Sequence, residues 1–249
     1  MIGEKMNRKI VSFLLLLSML MAAFAFVGCE EEEIIPDRKD DTYLKLVNKQ
    51  NPAGEDFVPL NLVPVDTDYT TGGKQIELEG NVAKAVISMI DAMREDGIDN
   101  VTVTSAYRTY QYQEKLFNGY IAQEKEANPS LSDEEAREAV LTYSAAPGTS
   151  EHQTGLCVDL FTDEMEGLYN FGSETSKNPY DKGFAETAAF TWLCEHAHEY
   201  GFILRFPEDK TDITGYSYES WHYRYVGIEH AKKIHEQGIT LEEYLEGNE

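Results

Sequence analysis

The apolar positions of the chain change period along its length, and the period names each element. Ile10 to Val27 is almost unbroken apolar sequence behind Lys5, Arg8 and Lys9, the layout of a secretory signal. Glu30 to Asp41 is charged and carries Pro36; it cannot bury a core, so it reads as a tether. Thr42 to Val47 predicts a first strand, and Asn51-Pro52-Ala53-Gly54 a turn. Pro59 and Pro64 make Phe57 to Val65 an extended surface wrap rather than a central strand.

From Asn81 to Arg94 the period becomes helical: Val82, Ala85, Val86, Met89, Ile90 and Met93 share one face, and Gly97 stands where a C-terminal cap belongs. Val101 to Ser105 predicts a short β-branched strand. Tyr110 to Lys125 predicts a second helix with Tyr112, Leu116, Phe117 and Tyr120 inward. Ser132 and Glu135 form a capping box for a third helix reaching Tyr143, and Pro147-Gly148 breaks it. Gly155 to Phe161 predicts a strand, and Thr162 to Gly183 a long loop. Ala185 to Tyr200 predicts a helix with Phe190, Leu193, Cys194 and Ala197 as its core stripe, closed by Gly201. Phe202 to Phe206 and Ser217 to Val226 predict two antiparallel strands. Ile228 to Gln237 and Leu241 to Leu245 predict closing helices. Strands and helices mix without a steady βαβ alternation, which gives an α+β class with a central antiparallel sheet and flanking helices.

Composition narrows the picture. The 249 residues suit a signal segment plus one domain, and 42% hydrophobic content can fill its core. Asp and Glu number 45 against 21 Lys and Arg, a net charge of -24 that argues against nucleic acid and anionic lipid head groups as partners. Gly28-Cys29 closes the apolar run, which resembles a bacterial lipoprotein signal with Cys29 as the lipidated residue. The expected organisation is a signal peptide over 1–28, an acidic tether over 29–41 and one folded domain over 42–249. The domain would lie outside the cytoplasmic membrane, held to it by lipid, with an uncleaved N-terminal anchor helix as the alternative, and is expected to act as a monomer. Cys157 and Cys194 read as small buried hydrophobes, with a disulfide between them left open.

Two stretches carry the chemistry. Ser150 to Asp159 (SEHQTGLCVD) offers His152 and Asp159, and Glu219 to Gly227 (ESWHYRYVG) offers Glu219 and His222. Two imidazoles and a carboxylate are a common ligand set for a catalytic zinc with an open position, and Glu219 is left over as a general base. Each histidine alone would be an ordinary surface or capping residue; the pair, each with a carboxylate nearby, is not. Glu219 and His222 are three apart, so on a flat strand they would face opposite ways, and the backbone must bend or bulge between them. His196, His198, His230 and His235 read as structural or solvated.

These motifs together resemble the zinc D-alanyl-D-alanine carboxypeptidases of the vancomycin-resistance type, within the lysostaphin, D-Ala-D-Ala peptidase and hedgehog fold group. Ser105-Ala106-Tyr107-Arg108-Thr109 with Gln113, Gly201 to Pro207, and Ile213 to Tyr216 add to the likeness, which spans most of Leu44 to Leu245. The resemblance implies Zn2+ held by His152, Asp159 and His222, with Glu219 as catalytic base. It implies that Arg108 polarises the scissile carbonyl or helps hold the substrate, and that Ser105, Gln113 and Ser150 line the substrate end. The implied substrate is the peptidoglycan stem peptide, losing its terminal D-alanine; an L,D-carboxypeptidase acting on the tetrapeptide stem is the rival within the family. Ser220 replaces a usual proline and Cys157 a usual alanine. A non-catalytic peptidoglycan-binding lipoprotein is the rival of another class, against which the complete set of four site residues argues.

Overall fold

In the computed structural model, residues 41–162 and 183–247 are described. The sequence expectations for residues 1–40, including the signal, Cys29 and nearly all of the tether, lie outside them, as does almost all of the long loop expected at 162–183. The described elements belong to the unit Asp37–Glu249.

Among the described residues, six strands make two sheets. β1 (Leu62–Pro64) pairs antiparallel with β2 (Glu77–Glu79). The main sheet holds β3 (Val101–Ser105), β4 (Cys157–Thr162), β5 (Phe202–Phe206) and β6 (Glu219–Tyr225) in the order β3-β4-β6-β5, every pair antiparallel. In edge strand β3, Val101 and Val103 are buried and alternate with half-buried Thr102 and Thr104, the period of a strand with one covered face. Central strands β4 and β6 are buried on both faces, so their alternation is hidden.

Helix α1 (Gly80–Glu95) starts where the Glu79 side chain accepts from the backbone N–H groups of Asn81 and Val82, and Gly97, at φ +85°, turns the chain away after it. Its Val82, Val86, Met89, Ile90 and Met93 are fully buried, as the spacing predicts. In α2 (Tyr110–Ala127), Phe117 and Gln113 are the buried pair, one turn apart, while Tyr112 is 49% exposed rather than inward. The helix covers the domain with a narrow stripe through 113 and 117, and Tyr112 lies about 100° round from Gln113. α3 (Asp133–Val140) begins in the predicted Ser132–Glu135 capping box.

Three expectations are corrected. Thr42 to Val47 is not a strand: Asp41–Leu44 is a 3-10 turn, and the carbonyls of Tyr43 and Lys45 accept from Arg224 Nη2, each at 2.8 Å, so these carbonyls serve a buried guanidinium. The helix expected over Ala185 to Tyr200 is three pieces: a 3-10 turn (Phe184–Glu186), α4 (Ala188–His196) and a second 3-10 turn (Ala197–Tyr200) ended by Gly201 at φ +84°. Its core side carries Ala189, Trp192 and Leu193, which leaves Cys194 exposed; Cys157 is buried, and both thiols are free.

The C-terminal part follows the pattern. α5 (Thr211–Thr214) leads into β6, and α6 (Ile228–Gln237) and α7 (Leu241–Glu246) pack Ala231, Ile234, Leu241 and Tyr244 on Ile203 and Val226. Arg205 of β5 and Arg224 of β6 are fully buried, which a fold tolerates only with carboxylates against them. Arg205 makes a bidentate pair with Glu242 (2.8 and 2.6 Å), and both arginines reach Glu151 Oε1, at 2.9 and 2.7 Å.

Candidate active site

The sheet register builds the site. Ser105 of β3 opposes Asp159 of β4, and Asp159 opposes His222 of β6, so one row crosses three strands. Directly opposed residues project to the same face, which aims the Asp159 carboxylate and the His222 ring at one point. His152 arrives from outside the sheet. It sits in a 3-10 turn (Glu151–Thr154) that ends at Gly155 in the left-handed conformation (φ +68°) before the chain enters β4. The bend required between Glu219 and His222 is present. Leu204 pairs with Tyr223, but Phe206 pairs with Glu219, a slip of two residues that marks a bulge in β6.

The two histidines are oriented by different partners. His152 Nδ1 lies 2.6 Å from the Ala106 carbonyl, which can only accept, so Nδ1 carries a proton and Nε2 is the nitrogen turned toward the cluster. That Nε2 is 3.2 Å from Asp159 Oδ2. His222 Nδ1 is 3.0 Å from Asp159 Oδ1 and 3.6 Å from Glu219 Oε2. The rings meet edge to face with centroids 5.0 Å apart, and Phe206 packs on His222 at 4.9 Å. Tetrahedral ligands about 2.0–2.1 Å from a zinc ion are separated by about 3.3–3.4 Å, close to these spacings. The residues therefore fit a metal ion, with imidazole and carboxylate donors suited to zinc. Cys157 is two residues before Asp159, on the same face. A donor atom from each of His152, Cys157 and His222 falls within 4.8 Å of the others, which puts the thiol at the buried base of the same cluster.

The charges are strongly coupled. Burial pushes the Asp159 carboxyl up, but His152 and His222 outweigh it and hold it well below the usual carboxylate range. Burial and Arg108 oppose protonation of His152, and Asp159 and Cys157 overcome them, so its pKa rises. His222 is raised well above its usual value: burial opposes, and Cys157, Asp159 and Glu151 prevail. Such a pocket favours positive charge on both rings, a role a divalent cation fills in place of the protons. Glu219 moves the other way. Burial, then the neighbouring Asp159, lift it to about 7 against the pull of His222.

Arg108 lies over the cluster. It donates from Nη2 to Asp159 Oδ2 (3.1 Å), from Nε to Ser105 Oγ (3.2 Å) and from Nη1 to Gln113 Oε1 (2.9 Å). Gln113 in turn donates to the Ala145 carbonyl at 2.8 Å. The cleft above these groups spans about 840 Å³ including its open mouth, the size of a small-molecule site. Arg108, Gln113, Ser150, His152, Asp159, Glu219 and His222 all border it. Ser105 does not; it stands behind Arg108 and steadies the guanidinium. The sequence reading missed Tyr120, Tyr143 and Tyr216, which also border the cleft. Tyr120 and Tyr143 pack edge to face at 5.7 Å, and Tyr216 donates to the Thr149 carbonyl at 2.9 Å. Their sequence signals were weak: Tyr216 ends the Ile213 to Tyr216 stretch of the likeness, Tyr120 stands on the inward face of its helix, and nothing ties Tyr143 to the site.

A cleft with a His-Asp-His cluster, a displaced carboxylate beside it and an arginine above it defines the metallopeptidase class of site. The family profile described as "VanY: D-alanyl-D-alanine carboxypeptidase" matches residues 75–228, and the chain belongs to that family. It is 38% identical over 202 residues to a D-alanyl-D-alanine carboxypeptidase of Enterococcus faecalis, an alignment covering 81% of this chain and 65% of the relative. A solved vancomycin-resistance D,D-pentapeptidase VanY variant in complex with Zn(II) superposes with a TM-score of 0.63 at 37% identity, covering 82% of this chain and 99% of the other. The LdcB LD-carboxypeptidase superposes with a TM-score of 0.66 at 32% identity, covering 81% and 84%. The hedgehog and D-Ala-D-Ala-peptidase-like fold expected from the motifs is the fold observed.

Proposed function

We propose that this chain is a zinc carboxypeptidase that removes the terminal D-alanine from peptidoglycan stem pentapeptides. One observation carries the reading. His152 Nε2, the Asp159 carboxylate and His222 Nδ1 face one point, with Glu219 beside it and Arg108 above it. Zinc at that point would supply a Lewis acid that lowers the pKa of an attacking water to roughly 7 and polarises the scissile carbonyl.

The chain's own residues do the rest. Glu219, raised to about 7 by burial, accepts the proton of the attacking water near neutral pH. It then gives that proton to the departing amine, so one water is consumed: hydroxyl to the carbonyl carbon, hydrogen to the nitrogen. Arg108 presents a fixed positive charge where negative charge develops on the carbonyl oxygen, held ready by Ser105 and Gln113. Ser150 and Gln113 border the space the substrate end would fill. The relatives support the substrate: one is named a D-alanyl-D-alanine carboxypeptidase and another a D,D-pentapeptidase bound to Zn(II).

The wider setting of the reading rests on sequence. Residues 1–28 act as a lipoprotein signal, Cys29 carries lipid, and 29–41 tether the domain to the outer face of the cell membrane as a monomer within reach of the wall.

The test uses the domain from Thr42 onward, loaded with zinc, with pentapeptide and tetrapeptide stems in parallel and D-alanine release followed by mass spectrometry. Release from the pentapeptide is expected. Release from the tetrapeptide alone assigns the L,D-carboxypeptidase activity instead. Release from neither, with zinc bound and the fold intact, refutes a hydrolase.

A further inference from the structure

Glu151 is the buried group that the proposed reaction leaves without a task. Its side chain is 2% exposed and sits directly behind His222. Its two oxygens are used differently. Oε1 accepts from Arg205 Nε at 2.9 Å and from Arg224 Nη1 at 2.7 Å. Oε2 has no hydrogen-bond partner, and neither does His222 Nε2; both atoms are fully shielded from solvent. They face each other at 3.6 Å, a few tenths of an ångström beyond hydrogen-bond length. Two buried polar atoms, each without a hydrogen-bond partner, face each other here at slightly open distance.

The direction of that interaction matters. Glu151 is locked as an acceptor, because two arginines with no acceptor capacity of their own fix its charge. Arg205 is itself fixed by its bidentate pair with Glu242, and Arg224 by the carbonyls of Tyr43, Lys45 and Tyr225. Asp159 Oδ1, 3.0 Å from Nδ1, competes for the ring proton as long as nothing lies between them; with a metal ion in that place, the Glu151 carboxylate is the acceptor left to the ring, and it demands the proton on Nε2. An imidazole protonated at Nε2 has its lone pair at Nδ1, the nitrogen that faces Asp159 and the cleft.

We infer that Glu151 is a positioning residue that sets the tautomer of His222, holding the proton on Nε2 so that Nδ1 is free to bind the metal. The Ala106 carbonyl does the same for His152 with opposite polarity, keeping the proton on Nδ1 and freeing Nε2. The two ligand rings thus present different nitrogens to one point, each selected by a fixed acceptor on its far side. The buried Arg205–Glu151–Arg224 arrangement is the support that keeps the second acceptor charged and still. This rests on His222 being a metal ligand, the reading given above.

Glu151→Gln tests it. The amide oxygen can still accept from both arginines, but the amide NH2 now faces His222 Nε2 and donates to it. The proton moves to Nδ1, where it blocks the metal. Zinc affinity, measured by competition with a chromophoric chelator, should fall by about 10–100-fold. Nitrogen-15 NMR of the ring should show Nε2 losing its proton. Glu242→Gln is the control: it disturbs the same arginine network without facing His222, so it should lower the melting temperature yet leave zinc affinity within about twofold. Folded Glu151→Gln with wild-type zinc affinity and a proton still on Nε2 would overturn the inference. So would equal losses of affinity in both variants, the mark of a purely structural role. If Glu151→Gln does not fold, zinc-loaded wild type decides: the inference requires a slowly exchanging proton on His222 Nε2, and its absence overturns it. Failure of wild type to bind zinc at all would instead sink the proposed function.

Discussion

Asp159 and His222 oppose each other across β4 and β6, and His222 Nδ1 stands 3.0 Å from Asp159 Oδ1. The same carboxylate reaches His152 Nε2 with its other oxygen, at 3.2 Å. Asp159 therefore ties the two imidazoles together. Asp159→Asn keeps the shape and removes the charge that draws a cation to the pocket. Zinc affinity should fall by more than the roughly 10–100-fold expected for a residue one layer removed from the ion. Isothermal titration with zinc measures it; unchanged affinity would remove Asp159 from the ligand set.

Glu219 is a cost to the metal-free fold. Its pKa rises from an ordinary 4.5 to about 7, burial being the main cause. The folded state binds this proton more tightly than the unfolded chain, so its contribution to stability falls as pH rises from about 4.5 to 7 and is flat above. Glu219→Gln removes that loss. Without metal at pH 8, the variant should be more stable than wild type by on the order of 1–3 kcal/mol, and at pH 4 the two should converge. Denaturant melts at both pH values check the sign.

Arg108 ties Ser105, Gln113 and Asp159 into one arrangement above the cluster. Arg108→Ala should lower kcat by about 10²–10³-fold with zinc still bound, the usual loss for one group that stabilises developing charge. A rise in KM with kcat intact would mean that it holds substrate only.

Gly155 turns the chain from the His152 loop into the strand of Asp159. Its φ is +68°, and an added Cβ would sit 3.0 Å from Leu62 Cδ2 and 3.4 Å from the Glu79 backbone nitrogen. Gly155→Ala should destabilise the fold by about 1–3 kcal/mol through the left-handed backbone alone. Because the turn carries one ligand toward another, zinc affinity should fall in parallel with the melting temperature.

Much of this was legible in the sequence, and the failures have physical causes. α1 declares itself because six apolar positions repeat on one face, and β3 because Val and Thr alternate. His152, Asp159, Glu219 and His222 are visible as types and spacings, and the bulge in β6 follows from the need to bring Glu219 and His222 to one side. Central strands β4 and β6 hide their facing, since both sides are buried. The Thr42 to Val47 segment has strand-like residues, but its carbonyls serve Arg224, a contact nearly 180 residues away in sequence. Local pattern cannot anticipate that. Ser105 shows the same limit: its place beside Arg108 was readable, but that it stands behind the guanidinium depends on the one-residue slip in the β3–β4 register. Glu151 stands inside the motif with no local signal of its own, because only two buried arginines and the far side of His222 give it meaning.

The central claim is that one metal ion held by His152, Asp159 and His222 works with Glu219 as proton carrier. The most direct measurement pairs wild type with Glu219→Gln on a stem pentapeptide, with bound zinc and released D-alanine determined in the same samples. Both proteins should hold one zinc, and the variant should release D-alanine about 10²–10⁴-fold more slowly, the usual share of a general acid–base group. Equal turnover in the two, with zinc bound in both, would contradict the account.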